Sequence, residues 1–233
     1  MSIPAVGHRS PAALMQPPAL VSPRLLARVA GVYYLLIFIA APSGAATATP
    51  LKMLVTMACD TAVALIFYSL FKPVNRRLSL AALIFRLIFV AIMTLDSLYY
   101  FGALDLVYSA PSAQTFDTIY TFALALFGVH CLLIGYLIYG SRFLPRVLGI
   151  LMILAGLGYV NFVSPWMAHH AYPFILIPGA LGEGLLTLRL LIGGVNSESW
   201  SAASQTGGRA DLLTARSRAA QGVMLPADSA ELR

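Results

Sequence analysis

The chain is short of charge. Asp, Glu, Lys and Arg make up 10% of its 233 residues, against about a quarter in an ordinary soluble domain, so a conventional water-soluble fold is excluded. It has only two cysteines, Cys59 and Cys131, both inside apolar runs. That leaves no disulfide framework or cysteine metal motif to read, and buried free thiols are expected. The phosphate-binding glycine loop, the Gly-x-Ser-x-Gly elbow and the His-Glu-x-x-His zinc motif are all missing, and Pro42-Ser43-Gly44 lacks the strand-turn pattern of a nucleophile elbow. His169 and His170 are adjacent in a loop, and neighbouring side chains rarely converge on one ion without a third ligand. No metal or cofactor is therefore expected, and the reading leans away from an enzyme. A formal charge of +6 would suggest nucleic acid in a soluble chain, but the basic residues form short clusters between apolar runs, with no basic stripe interleaved with aromatics. Nucleic acid is excluded as a partner on that ground.

What the chain has is apolar length. Hydrophobic residues make up 59% of it, and its mean hydropathy is +0.82. Apolar runs cover residues 24–41, 51–71, 79–101, 117–140, 144–164 and 173–194. Roughly 20 helical residues span a hydrocarbon core of about 30 Å, so five runs are long enough, and the first needs Ala45 to Ala48 to reach that length. Lipid offers the backbone no hydrogen bonds, so each spanning run must be a helix. The expected fold is an all-α, polytopic bundle of six transmembrane helices with the lipid bilayer as its partner. It occupies residues 24–194, between a disordered Pro-rich leader at 1–23 and a disordered tail at 195–233 in which Leu212, Leu213 and Val223 to Leu225 offer a short interfacial helix.

Lys and Arg near the helix ends set the orientation. Arg9, Arg24 and Arg28 precede the first run, Lys72, Arg76 and Arg77 separate the second from the third, and Arg142 and Arg146 separate the fourth from the fifth. The opposite side has only Lys52, with Asp105 and Asp117 in its longer loop. Both termini are expected in the cytoplasm, with the protein in a bacterial cytoplasmic membrane. Tyr99, Tyr100, Tyr120, Tyr159, Trp166 and Tyr172 then read as the outer aromatic belt. A competing reading takes Arg24, Arg28, the run Val29 to Ala40 and Ala46-Thr47-Ala48 as a cleavable secretory signal, which would leave five spans.

Depth along each run isolates the polar residues that matter. At 1.5 Å per residue, Asp60, His130 and Glu183 fall within about 2 Å of the midplane, and Arg86 and Arg189 about 6–8 Å towards the cytoplasm. Asp96 lies nearer the outer end of the third run. Unpaired, Asp60, Arg86 and Glu183 would together cost about 8–10 kcal/mol, comparable with the stability of a whole domain. Arg86 is expected to pair with Asp60 or Glu183, Arg189 to take the other or to snorkel, and His130 to accept or relay a proton beside them. In the sixth run, Pro173 and Pro178 can loosen the outer half, and Ala180 and Gly184 form a small-xxx-small pair suited to close helix contact.

The segment from His130 to Tyr159 (HCLLIGYLIYGSRFLPRVLGILMILAGLGY) is similar to the hallmark stretch of a bacterial membrane-protein family known as domain of unknown function 4386. Ala27 to Leu36, Asp60 to Arg76, Phe85-Arg86-Leu87 and Gly182 to Asn196 match it too, so the resemblance spans about residues 25 to 196. It implies a polytopic membrane protein that keeps its first helix, and no established reaction. The family commonly carries a longer polar loop after helix one, where this chain runs from Pro42 to Pro50 through small residues. Two functions remain open: small-solute or proton-linked transport or ligand binding at Asp60, Arg86, His130, Glu183 and Arg189, or a structural or regulatory membrane component whose polar cluster only fixes packing. A membrane-embedded enzyme ranks below both.

Overall fold

Helix starts follow directly from capping chemistry. The computed structural model describes residues 22–41, 45–102, 112–164, 166, 170 and 174–207. Ser22, Thr49, Asn75 and Ser112 each accept a backbone N–H from three residues ahead, opening α1 (Pro23–Ala40), α2 (Pro50–Phe71), α3 (Arg76–Tyr100) and α4 (Ala113–Gly140). Pro23 and Pro50 occupy first-turn positions, where a missing N–H is harmless. α5 (Arg146–Val160) follows Pro145 and runs on into a 3₁₀ turn, Asn161–Val163. α6 (Ile177–Gly193) follows the turn Phe174–Leu176. Among the described residues there are no strands.

Among the described residues, five helices are long and apolar enough to cross a membrane: Pro23–Ala40, Pro50–Phe71, Arg76–Tyr100, Gln114–Gly140 and Arg146–Val163. α6 has 17 residues. Each helix packs on its neighbour in sequence, and α6 packs on both α5 and α1, which closes the bundle into a ring. The α4–α5 contact is the tightest. A Cβ on Gly149 would stand 2.7 Å from Gly135 O, and one on Gly156 2.7 Å from Gly128 O. The two pairs share a seven-residue spacing, so the backbones touch at two successive levels.

Three local expectations need correction. Pro178 does not break the sixth helix: it sits in the first turn of α6, where proline is tolerated. Nor do Ala180 and Gly184 make the close contact, since nothing lies within 4 Å of a Cβ built on Gly184. Gly182 makes it instead, 2.8 Å from Leu151 O of α5. Residues 197–207 are helical where the sequence reading began a disordered tail. Asn196 Oδ1 caps this helix by accepting from Glu198 N and Ser199 N, and Trp200 Nε1 donates to Leu70 O at 2.9 Å, anchoring it to the C-terminal end of α2. The segment Leu212 to Leu225 and most of the leader lie outside the described residues.

Candidate functional site

Each helix of the ring contributes one side chain to a polar cluster at its centre: Tyr34, Asp60, Arg86, His130, Tyr159 and Glu183, in order from α1 to α6. Arg86 of α3 is the hub, and it is 0% exposed. Its Nε donates to Asp60 Oδ1 of α2 at 3.0 Å, and Nη2 donates to the same oxygen in a direct ion pair. Nη1 donates to Tyr34 Oη of α1 at 2.8 Å and lies 3.1 Å from Nε2 of His130 on α4. His130 Nδ1 lies 2.8 Å from Ala82 O. A carbonyl only accepts and a guanidinium only donates, so these two contacts require the neutral imidazole with its proton on Nδ1. The guanidinium carbon also sits 4.9 Å from the Tyr34 ring centroid and 5.1 Å from that of Phe127. Of the two partners the sequence left open for Arg86, the structure selects Asp60.

The outer-belt assignment of Tyr159 fails for a specific reason. Its hydroxyl points into the bundle and donates to Glu183 Oε1 at 2.7 Å, joining α5 to α6. Thus Glu183 is buried against a phenol, with no ion pair to Arg86. Arg189 does not join the cluster: it is half-buried, and its guanidinium folds back over Gly193 towards the end of α6, which is the snorkelling alternative. Cys59 and Cys131 are free and buried, as expected. Asp96 is 4% exposed, away from the hub, and neither of its carboxylate oxygens has a hydrogen-bond partner among the described residues.

A cavity of about 280 Å³ opens from this centre. Its floor carries Asp60, Arg86 and Glu183, and its walls include Met57, Phe89 and Leu124. All the lining residues come from the centre of the ring or from the end where α1, α3 and α5 finish and α2, α4 and α6 begin. His130 lies behind the floor and does not line it. Phe38 and Ala180 are shared with an apolar groove between α1 and α6, which also carries Leu35, Leu181, Leu185 and Leu188. Towards the other end the bundle is filled: Phe67, Leu70, Phe71, Leu137 and Phe143 are all 2% exposed or less. Among the described residues, no three His, Cys, Asp or Glu side chains converge to hold a metal.

Sequence reading missed Tyr34 and Tyr159. The available signal was a hydroxyl inside an apolar run, which needs a partner once buried. Depth alone singled out charges and passed over phenols.

A protein of Archaeoglobus fulgidus described only as uncharacterized is 33% identical over 136 residues, which cover 58% of this chain and 76% of that one. No solved structure matches the chain. The sequence model of domain of unknown function 4386 matches residues 43–194, a span that takes in α2 to α6 and omits α1. With that match covering most of the helical bundle and all of the inward polar side chains except Tyr34, the chain belongs to the domain of unknown function 4386 family.

Proposed function

We propose that the chain is a six-span protein of a bacterial cytoplasmic membrane, with both termini inside, whose cavity binds a small amphiphilic molecule. The observation that carries this reading is the division of the polar cluster. Arg86 is satisfied by Asp60, Tyr34 and His130 and acts as the structural tie between four helices. Glu183 stands on the cavity floor with one oxygen held by Tyr159 and no hydrogen bond to the other among the described residues. A tie needs no cavity, and a packing residue needs no free carboxylate oxygen. The filled opposite end favours a one-sided binding site over an open pore. Transport would require a further conformation.

The six-span topology draws support from the packing. α6 and the preceding turn Phe174–Leu176 together give 20 residues, about 30 Å of rise in helical form. The basic ends Arg24, Arg28, Arg76, Arg142 and Arg146 sit with the 197–207 helix at one end of the bundle, which the charge rule places in the cytoplasm. α1 supplies Tyr34 to Arg86, so removing it as a signal would take away a partner of a buried charge. The intact mass of the purified protein should accordingly include Gly44 to Thr49. A mature chain starting near Thr49 would overturn the six-span topology.

Binding is tested by saturable thermal stabilisation in lipid nanodiscs with a panel of small amphiphiles. Leu124→Trp fills the cavity from α4 without touching the floor. At least one compound should raise the melting temperature of the wild type saturably, and the effect should vanish in Leu124→Trp. Stabilisation that persists in the filled variant would place binding elsewhere and contradict the reading.

A further inference from the structure

The floor of the cavity is not balanced in charge. Asp60 and Glu183 each bring a carboxylate, Arg86 brings one guanidinium, and His130 is held as a neutral imidazole. With both acids ionised, one formal negative charge is left over, and it falls to Glu183, whose hydrogen-bond partner is a neutral phenol and which a cation seated beside it would hold in its ionised form. The second oxygens of Asp60 and Glu183 have no hydrogen-bond partner among the described residues, and both residues line the cavity.

The same floor cannot serve an anion. Four of the five N–H groups of Arg86 are directed at Asp60, Tyr34 and His130, and its planar group lies against the rings of Tyr34 and Phe127. No fork remains for the bidentate contact that a carboxylate or phosphate would seek. A divalent metal ion would need several more oxygen ligands than two carboxylates supply, and no larger acidic or histidine group converges there among the described residues.

The walls suit a cation with an apolar body. Phe89, Tyr120, Phe127 and Tyr159 line the space above the floor, and aromatic faces attract ammonium groups in sites sheltered from water. Met53, Met57 and Met93 complete that wall with side chains that adapt to irregular shapes. The groove between α1 and α6 meets the cavity at Phe38 and Ala180, and its leucines Leu35, Leu181, Leu185 and Leu188 are 43–52% exposed. It offers an apolar molecule a lateral route from lipid.

We infer that the ligand is a hydrophobic organic monocation, with its ammonium-type group seated at the Glu183 carboxylate and its apolar body running along the methionine wall towards the α1–α6 groove. This rests on the cavity-binding reading above and adds to it the sign of the ligand's charge.

The test is isothermal titration of the full chain in nanodiscs with three probes of matched shape: phenylbutylammonium, phenylbutanol and phenylbutanoate. The cation should bind about tenfold or more tightly than the alcohol, the size of one charge-assisted contact. Glu183→Gln should remove that advantage, bringing the affinity for the cation down to that for the alcohol. A cation that binds no better than the alcohol, or a preference for the carboxylate, would overturn the charge assignment while the cavity reading stands. Failure of all three to bind wild type would overturn the cavity reading and this inference with it. The comparison among probes on wild type decides between these outcomes even if the variant folds poorly.

Discussion

Asp60→Asn should lower the stability of the protein by about 3–5 kcal/mol, because it removes the counter-charge of a fully buried arginine. Arg86 cannot reach water, and its remaining partners, Tyr34 and His130, are neutral acceptors. The loss is large because the guanidinium stays behind unpaired, and not because the pair itself contributes that much: desolvating both groups offsets most of their attraction. A double replacement, Asp60→Leu with Arg86→Met, should therefore be more stable than Asp60→Asn alone. Melting in detergent, followed by size-exclusion chromatography, measures both variants. If Asp60→Asn melts with wild type, Arg86 is not the tie described above.

Glu183→Gln should behave in the opposite way. Its side-chain oxygen can still accept from Tyr159, no positive partner is left stranded, and the change in stability is expected to stay within about 1 kcal/mol. Binding of the cationic amphiphile should fall about tenfold or more, as when one charged contact is lost. The two acids lie at similar depth in the sequence reading, which treated them as equivalent members of one cluster. Their separation into a structural and a binding carboxylate comes from their partners. Unfolding of Glu183→Gln to the same degree as Asp60→Asn would show that both acids hold the bundle together.

Much of the fold was legible because lipid leaves the backbone few choices. The apolar runs and the helices agree within a few residues at most ends, and Ser22-Pro23 and Thr49-Pro50 mark two of the starts through capping and first-turn proline. Depth arithmetic brought Asp60, His130 and Glu183 to one level and put Arg86 about 6–8 Å towards the cytoplasm, within side-chain reach of them, but it has no angular component. It could not say that Arg86 faces Asp60, that His130 stands behind the floor, or that Arg189 turns towards the end of its helix. Small residues misled for the same reason. Gly182 and Gly184 are both candidates for close packing on α6, and only Gly182 faces α5. The helix at 197–207 escaped because its stability depends on Asn196 as a cap and on the Trp200 indole reaching Leu70 O, a contact across 130 positions.

The central claim is that the interior of the bundle divides into a closed tie at Arg86 and an open acceptor at Glu183. An experimental structure of the full chain in lipid nanodiscs, determined with phenylbutylammonium present, tests it most directly. The account predicts the ammonium group within hydrogen-bond distance of the Glu183 carboxylate, the phenyl ring among Met53, Met57 and Phe89, and the Arg86 contacts to Asp60, Tyr34 and His130 unchanged. A ligand seated on the lipid-facing leucines of α1 and α6 with no contact to Glu183, or an Arg86 that leaves Asp60 to meet Glu183, would contradict it.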